Sequence, residues 1–399
     1  MNAPEQQFAF RKKSLMSILG LIGLGCLNLV YNQKVIHPFT QQQQKGQQPP
    51  LHESRVCNIT AVGELIPTNF TSVAVNNISK LVTFQNQANG SSPPVLISHS
   101  SNATCEIYFY FGAAGHFPHF MQQFYRCWSF WNAYPLLKKQ MVIQNHNGLR
   151  TTIQHQGYTR ALMRLLPQLG IDLVEEIGPN HSKHNIHVRG SDYRKVPFQV
   201  ASTEDMSSLR RKMQSVLNLT NHVSESCTGG MPRIGMVNRK SSRRILNGNE
   251  ILQDLKRYYH LKEPLPEIFF EGTLLVDQVK LLSNIDILIT PHGAQETNIA
   301  WMPKCGQVLE MMPENYWVDN YFGSLAAITG LTHLVYYVAK NTSHRVIGGT
   351  TGERIIARSI KFCLSKQMMR EGVDRLVQQW RMCCHKKRTF DWFGRSDWK

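Results

Sequence analysis

Acidic residues are scarce in this sequence. Its 399 residues include 27 Asp and Glu against 44 Lys and Arg, which gives a formal net charge of +17 and a pI near 9.6. A surface this basic suggests a polyanionic partner such as a nucleic acid, an anionic glycan, a membrane surface or a phosphate-bearing small molecule. The hydrophobic content of 42% with only 18% charged residues is typical of a folded protein rather than a disordered one.

Charge is absent from one stretch near the N-terminus. The run from Leu15 to Tyr31 holds no charged residue, and Arg11, Lys12 and Lys13 stand just before it. This arrangement predicts a signal-anchor helix whose basic flank stays in the cytosol, so that the residues after it face a lumen. A cleaved signal peptide is the alternative, although no small-residue cleavage site is evident. We therefore expect a single-pass type II protein of the Golgi or endoplasmic reticulum membrane.

Glycosylation motifs agree with a lumenal location. Asparagine acceptors of the N-x-Ser/Thr type occur at Asn58, Asn69, Asn77, Asn89, Asn102, Asn180, Asn218 and Asn341. Five of these precede Thr104, which favours a solvated stem in that region. A lumenal location removes nucleic acid from the candidate partners and leaves the membrane, glycans and phosphate-bearing molecules.

Eight of the nine cysteines follow the apolar run. In an oxidising compartment we expect them to form disulfides. Because Cys383 and Cys384 are neighbours, we expect each to pair with a distant cysteine rather than with the other.

The length of the chain predicts two lobes after the anchor and stem. A strand-like Ile107–Phe111 and a helix-like Phe120–Trp131 open the first lobe, and from Ile234 onward strand-like and helix-like segments alternate, which predicts a mostly parallel sheet. One of these helices should begin near Glu250 with Asn247 as its cap. We expect a cytoplasmic tail (1–13), a transmembrane helix (14–32), a stem (33–100), an N-terminal lobe (101–228), a C-terminal lobe (229–345) and a C-terminal helix and tail (346–399).

The segment 287–303 contains a candidate ligand-binding turn. A short apolar strand, a Pro-His-Gly-Ala turn and a predicted helix follow one another in that order. Gly293 and Ala294 allow the backbone to approach a ligand, the helix would direct free N–H groups to the same place, and His292 and Asn298 supply side-chain donors. This arrangement suits a diphosphate. An ordinary strand-to-helix turn is the alternative.

The same residues resemble a known family. Residues 286–294 (Asp-Ile-Leu-Ile-Thr-Pro-His-Gly-Ala), followed by Thr297-Asn298, Met302-Pro303 and Gly306 to Glu310, are similar to the HGA-x-x-TN signature of glycosyltransferase family 61. Residues 239–247 resemble the upstream arginine-rich segment of that family, which includes O-linked N-acetylglucosaminyl-, xylosyl- and arabinosyltransferases. The resemblance covers residues 232–338 well and 109–135 loosely.

This resemblance implies an α/β fold of the GT-B type with two facing Rossmann-like domains. It also implies an inverting transfer from a nucleoside diphosphate sugar, with UDP as the expected nucleotide, to a hydroxyl of a glycan or glycoprotein. No Asp-x-Asp occurs in the chain, so we expect no metal cofactor, and other cations must neutralise the leaving diphosphate. Arginines after the first predicted strand of the second lobe are suited to this task; a solvated basic loop is the alternative.

We expect the donor to be bound by Arg239, Lys240, Arg243, Glu271, His292, Gly293, Ala294, Thr297, Asn298 and Glu310. Glu310, at a strand end, is expected to accept the ribose hydroxyls. Glu271 has two alternative roles: it lines the same pocket, or it is a surface or helix-capping carboxylate.

An inverting transfer also needs a general base. The histidine-rich segment of the family commonly carries an acidic residue within a turn of its histidine, where this chain has Gln122 and Gln123. We therefore expect His119 or His116 to be the base, since imidazole titrates near neutral pH, although either could be a core histidine. Glu296, where the family more often has an apolar residue, is the second candidate. A catalytically inactive glycan- or polyanion-binding protein on the same fold, or an adhesion ectodomain, remain as alternatives.

Overall fold

The computed structural model describes eleven segments of the chain. These are residues 62–67, 83–84, 102–107, 116–143, 157–174, 186–189, 198–219, 227, 230–318, 321–339 and 356–393. The predicted transmembrane helix and six of the eight predicted glycosylation sites lie outside them; Asn102 begins a strand and Asn218 lies in an exposed turn after a helix. Within these segments, no helix combines the length and the apolar character needed to cross a membrane.

The elements follow one another in the order β1 (Val62–Pro67), β2 (Thr83–Phe84), β3 (Asn102–Ile107), α1 (Phe117–Ala133), β4 (Lys138–Ile143), α2 (Gly157–Leu165), β5 (Ile171–Val174), β6 (Ile186–Arg189), α3 (Thr203–Val216), β7 (Ile234–Asn238), α4 (Gly248–Tyr258), β8 (Glu267–Phe269), α5 (Leu275–Leu282), β9 (Ile287–Pro291), a 3-10 helix (Ala294–Trp301), β10 (Gln307–Pro313), α6 (Tyr321–Thr329), β11 (Thr332–Ala339) and α7 (Lys366–Phe393).

Two mostly parallel sheets carry the fold. The six-stranded sheet has the order β1-β11-β10-β9-β7-β8, and the five-stranded sheet has the order β2-β6-β3-β4-β5. In each sheet one edge strand is antiparallel to its neighbour, β1 to β11 and β2 to β6. The mixed α/β architecture with parallel sheets, predicted from the alternation of segments, is confirmed. The parallel strands β7, β9 and β10 end at one edge of their sheet, where ligands bind in folds of this class.

Strands β9 and β10 are buried along their whole length. Their sequences, Ile-Leu-Ile-Thr-Pro and Gln-Val-Leu-Glu-Met-Met-Pro, lack the alternation of polar and apolar residues that a half-exposed strand shows. This pattern is typical of parallel strands covered by helices on both faces. The polar residues inside these strands, Thr290 and Glu310, are therefore exceptions that need partners.

Helix α1 is buried on almost every side. Fourteen of its seventeen residues are buried, because it packs against β3, α3 and the 3-10 helix. Phe120 and Trp131 belong to a hydrophobic cluster that continues to Leu288 and Trp301. Each such side chain contributes about 1.5–3 kcal/mol on burial. The shared core therefore fixes the first turn of α1 against the elements that follow β9.

Helix α7 covers the opposite face of the six-stranded sheet. Met369 and Leu376 pack there with Ile289 and Met311. Two disulfides, Cys227–Cys384 and Cys305–Cys383, attach the same helix to distant parts of the chain. The expectation that the neighbouring cysteines pair with distant partners is confirmed. A third disulfide, Cys105–Cys127, joins β3 to α1.

One local prediction was wrong, and another was confirmed with a different helix type. Helix α4 begins after Asn247, but the Asn247 side chain does not cap it; its amide instead donates to the Leu364 carbonyl at 2.9 Å and accepts from the Leu364 N–H at 2.9 Å. The asparagine therefore fixes the segment that precedes α7. The helix predicted over 297–302 is a 3-10 helix over Ala294–Trp301, a tighter geometry suited to the short path between β9 and β10.

Candidate functional site

The candidate site lies where β7, β9 and β10 end. The residues after β7 form the arginine-rich loop 239–244, those after β9 form the His292-Gly293 turn, and Tyr316 follows β10. The His292 N–H donates to the Met311 carbonyl at 2.9 Å, which continues the pairing of β9 with β10 for one more residue. The turn is therefore a direct extension of the sheet, and its position is fixed by the strands.

A buried line of three side chains runs across the end of β10. The Nδ1 of His292 contacts one carboxylate oxygen of Glu310, and the Nε2 of His333 lies 3.1 Å from the other. Burial alone would raise the pKa of Glu310, but His292 and His333 outweigh it and hold that pKa below its usual range. Glu310 is therefore ionised, and as an acceptor it fixes the proton of His292 on Nδ1. Burial lowers the pKa of His292, and in the neutral ring the lone pair is then on Nε2.

Glu310 is only 1% exposed, with its two oxygens directed at the two histidines. The ribose contact predicted for Glu310 stays a prediction, and it requires one of these contacts to open.

Glu296 is the second buried carboxyl group of the site. It is fully buried, and within the described segments neither of its oxygens accepts a hydrogen bond from a donor group. Burial, the nearby charge of Glu310 and a side-chain hydrogen bond to Glu310 raise its pKa well above the usual range, which favours its protonated form. Ligand atoms of His292, Glu296 and Glu310 lie within 4.8 Å of one another, a grouping that could also hold a metal ion.

The arginine-rich loop is held by Asn238 at the end of β7. The Asn238 amide donates to the Ile245 carbonyl at 2.7 Å, and its oxygen accepts from the N–H groups of Arg239 and Ile245 at 2.8 and 3.0 Å. A single buried side chain thus closes the loop at both ends. Arg243 takes a left-handed backbone conformation within it, with φ of 56°.

Arg239 joins the two sequence motifs. Its guanidinium donates to the side chain of Gln295 at 2.8 Å and to the carbonyl and hydroxyl of Ser242 at 2.7 and 3.0 Å. It also lies so close to Gly293 that a Cβ atom at that position would overlap it. The glycine therefore serves the approach of an arginine side chain. Its φ of 169° is extended backbone that any residue adopts.

Two desolvated positive charges face the turn. The Arg243 guanidinium lies 4.9 Å from the centre of the Tyr316 ring. Burial lowers the pKa of Arg239 and of Arg243, and the charge of Arg243 lowers that of Arg239 further. Both guanidinium groups nevertheless remain charged at neutral pH. Like charges held together at partial burial favour the binding of an anion between them.

Other predicted donor residues lie in different surroundings. Lys240 and Glu271 are exposed at the margin of the site, where the Lys240 N–H donates to the Glu271 carboxylate at 2.9 Å. Thr297 is fully buried, and its hydroxyl has no hydrogen-bond partner within the described segments. Ala294 opens the 3-10 helix next to Gly293.

The side chain of Asn298 makes hydrogen bonds to other residues of the protein. Its amide group contacts the Tyr158 hydroxyl at 3.0 Å, the Gln278 side chain at 3.1 Å and the Gln295 carbonyl at 3.1 Å, and its oxygen accepts from Trp301 at 3.2 Å. These bonds link the 3-10 helix to α2 and α5. The contact of Asn298 with a donor stays a prediction; the bonds themselves stabilise the position of the turn.

The first turn of α1 brings His116 and His119 to the same site. Their ring centres are 5.3 Å apart. The His119 Nδ1 lies 3.2 Å from the Tyr321 hydroxyl and 3.4 Å from the Gln122 side-chain oxygen. Gln122 donates from Nε2 to the same hydroxyl at 2.9 Å. Tyr321 also makes an edge contact with His292, with ring centres 6.5 Å apart, and so connects the two histidine groups.

The two histidines of α1 are neutral at pH 7. Burial lowers the pKa of His119. Burial and the charges of His119, Arg358, Arg243 and Arg239 lower the pKa of His116 from 6.5 to about 4. The arginines that act on His116 include both of those beside Gly293, so the two motifs and the first turn of α1 form one electrostatic unit. A neutral imidazole is the form that accepts a proton.

The structure also shows site residues that the sequence did not predict. Gln295, Tyr316, Tyr321 and His333 all contact predicted site residues. Tyr316 could have been predicted, because it closely follows a strand whose end lies at the ligand-binding edge. Tyr321 and His333 carry no comparable local signal.

Comparison with known proteins agrees with this geometry. The family model described as Glycosyltransferase 61 matches residues 117–309, from the first turn of α1 to the middle of β10. The matched region belongs to glycosyltransferase family 61. This region identifies the protein as a glycosyltransferase, and it contains His119, the arginine-rich loop and the His292-Gly293 turn.

Curated relatives cover part of the chain. It is 25% identical over 138 residues to the EGF domain-specific O-linked N-acetylglucosamine transferase of Bos taurus, 34% of this chain and 26% of that protein. It is 28% identical over 165 residues to the protein O-linked-mannose beta-1,4-N-acetylglucosaminyltransferase 2 of Mus musculus, 41% of this chain and 25% of that protein. These matches therefore span about a quarter of the length of the relatives.

Proposed function

We propose that this family 61 protein transfers a sugar, with inversion, from a nucleoside diphosphate donor to a hydroxyl of a glycan or glycoprotein. UDP is the nucleotide we favour, because both relatives named above are N-acetylglucosaminyl transferases by name. The observation that carries the proposal is the approach of Arg239 to Gly293. It brings the arginine-rich loop and the His292 turn, which are distant in the chain, into one anion-binding corner.

In the proposed complex the donor diphosphate lies between Arg239 and Arg243. Both guanidinium groups are partly desolvated, so the charge that develops on the leaving diphosphate gains more from them than it would in water. Glu310 holds the His292 ring in place, and the Nε2 lone pair of His292 accepts a hydrogen bond from a sugar or ribose hydroxyl. The donor is thereby bound without a change in the buried His292–Glu310–His333 line.

The proposed base is His116. The Nδ1 of His119 is already engaged by the Gln122 side-chain oxygen and the Tyr321 hydroxyl, whereas no hydrogen bond to the His116 ring occurs within the described segments. His116 takes the proton of the acceptor hydroxyl. The oxygen of that hydroxyl attacks the anomeric carbon from the side opposite the diphosphate. The bond to the diphosphate breaks, and its electron pair leaves with the nucleotide.

The location and the cofactor requirement belong to the same proposal. We propose that the protein acts in the lumen of the Golgi or endoplasmic reticulum, with a GT-B arrangement of its lobes and an anchor within residues 14–32; the disulfides support an oxidising compartment. We expect transfer without a divalent metal, since arginines take the place of an Asp-x-Asp. Activity that survives EDTA is the expected result.

The proposal is tested by calorimetric titration of the purified chain with UDP. Wild-type protein should bind one UDP. Arg239→Ala should raise the dissociation constant for UDP by at least about thirtyfold, because the loss of a desolvated charge-assisted contact costs about 2 kcal/mol. Arg211→Ala is the matched control, because Arg211 forms an exposed pair with Glu204 on α3. A wild-type chain that binds no nucleoside diphosphate would contradict the proposal.

A further inference from the structure

A cavity lies at the far end of α1, on the five-stranded sheet. Its volume is about 610 Å³, within the range of roughly 300–1,000 Å³ for ligand pockets. The last turns of α1, the start of β4, the residues leading into β5 and the middle of α3 line it. Because its lining begins at Trp128 and includes Asn132, about 18–24 Å of helix separates this cavity from His116. It is therefore distinct from the candidate donor site.

Three lysines and one carboxylate line this cavity, which we call the lysine cavity. Lys138 pairs with Asp172 at 2.7 Å, so these two charges offset each other. Elsewhere in the described segments, no carboxylate pairs with Lys139 or Lys212. Burial, and then the charge of Lys212, lower the pKa of Lys139, which shows that the two ammonium groups act on each other. The lysine cavity thus holds two positive charges without a counter-charge.

The frame of the lysine cavity is held by hydrogen bonds between α1 and α3. Trp128 donates from Nε1 to the Ser208 hydroxyl at 2.9 Å, and Asn132 donates to Ser208 at 2.9 Å and to Asp205 at 3.0 Å. The Cys105–Cys127 disulfide fixes the same helix to β3. The cavity is therefore formed before any ligand enters, which lowers the cost of binding.

The remaining lining distinguishes between classes of anion. Trp128 is 3% exposed, and the Lys139 ammonium lies 4.9 Å from its ring centre, so no open aromatic face is available for a nucleobase. Pro135, Leu137 and Leu169 form an apolar part of the lining. An apolar patch beside two cations suits a ring with carbon–hydrogen faces and an acidic substituent.

We propose that the lysine cavity binds an acidic sugar unit of a glycan, with its sulfate or carboxylate group between Lys139 and Lys212. This site would hold a glycan about 18–24 Å along α1 from His116. The inference does not depend on the transferase function, because it rests on residues that take no part in the donor site.

The test is calorimetric titration of the full chain with a sulfated uronic-acid disaccharide and with its desulfated form, which separates sulfate from carboxylate recognition. Wild-type protein should bind at least one of them at a single site, and the affinity should fall as salt is added. The double variant Lys139→Ala/Lys212→Ala should weaken that binding at least about tenfold, the loss expected for one charge-assisted hydrogen bond. Its affinity for UDP should stay unchanged.

The control variant Lys262→Ala/Lys304→Ala removes the same charge from two exposed positions. It should keep the disaccharide affinity within about twofold. An equal loss in the control would reveal attraction by overall charge and overturn the proposal. The same holds if inorganic sulfate binds as tightly as the disaccharide, if a hexaglutamate peptide displaces the sugar at lower concentration, or if UDP displaces it.

Discussion

The six-stranded sheet and helix α1 contribute to the candidate site in different ways. On the sheet side, the polar groups are held by neighbours within a few residues of a strand end: Asn238 closes the arginine loop, and Glu310 fixes His292. On the α1 side, His119 is held by Gln122 from its own helix and by Tyr321 from α6, the helix that connects β10 to β11. One side is positioned locally, and the other depends on the packing of the two sheets.

This difference suggests a division of labour. Groups that bind a constant ligand, the diphosphate, gain from a rigid local frame, because no reorganisation is needed on binding. Groups that must meet an incoming acceptor lie on an element that the core connects to the rest of the protein. Variants on the sheet side should therefore change donor affinity, and variants on the α1 side should change turnover.

The largest effect is expected for the histidines of α1. Replacement of the base, His116→Ala, should lower kcat by about 10²–10⁴, the usual contribution of general base catalysis, with UDP affinity retained. His119→Ala should cost less. Because the pKa of His116 is about 4, the acid limb of the wild-type kcat/KM profile should lie below 6.5.

Steady-state kinetics across pH measure both effects. His260→Ala, at an exposed position after α4, is the control and should behave as wild type. If His116→Ala retained full turnover, the catalytic role proposed for the α1 side would be wrong.

The role of the sheet side in donor binding can be tested by adding one methyl group at Gly293. Gly293→Ala should displace the Arg239 guanidinium, which is the flexible end of a long side chain, and should leave the fold intact. We expect the UDP dissociation constant to rise about tenfold to hundredfold, because one charge-assisted contact is lost. Gly157→Ala, where a Cβ meets no atom within 4 Å, serves as the control. Unchanged UDP binding in Gly293→Ala would mean that Arg239 does not contribute to donor binding.

Glu296 is a buried carboxyl on the sheet side that accepts no hydrogen bond from a donor group within the described segments. A carboxyl whose folded pKa is raised contributes its full stability below the unfolded pKa of about 4.5 and loses it as the pH rises through the folded value. Glu296→Leu removes this ionisation together with the hydrogen bond to Glu310, so the free energy of unfolding of the variant relative to wild type should rise by roughly 1–3 kcal/mol between pH 4 and pH 8.

Thermal denaturation at the two pH values measures this difference. Glu296→Gln, which keeps the shape and removes the ionisation, should show the same pH trend. A loss of stability in both variants at pH 8 would mean that Glu296 is bound to a group such as a cation.

The smallest effect is expected at the connection between the two sides. Tyr321→Phe removes the hydroxyl shared by His119 and Gln122 and keeps the ring contacts with His292. We expect kcat to fall by about twofold to tenfold, the value of one neutral hydrogen bond, with no change in UDP affinity. Tyr134→Phe, at the far end of α1, is the control. A larger effect on UDP affinity than on kcat would place Tyr321 on the donor side.

Local sequence signals predicted the parts of the site that are local in the fold. The apolar runs of β9 and β10 and the turn at His292 follow from strand patterns and turn chemistry, so their place at one sheet edge was predictable. The contact between His119 and Tyr321 spans 202 residues and depends on how the helices pack, for which a single sequence carries no signal. Asn247 illustrates the limit differently, since its capping pattern is present but a distant carbonyl and N–H outcompete it.

The antiparallel pairing of β1 with β11 has a consequence for biosynthesis. Val62 pairs with Ala339, so the first strand of the larger sheet waits for a partner made close to 280 residues later. At about 5–20 residues per second, that interval is on the order of 15 to 60 seconds. The larger sheet is therefore completed only after β11 has been synthesised, and until then the ribosome-bound chain exposes an unpaired strand to which a chaperone can bind.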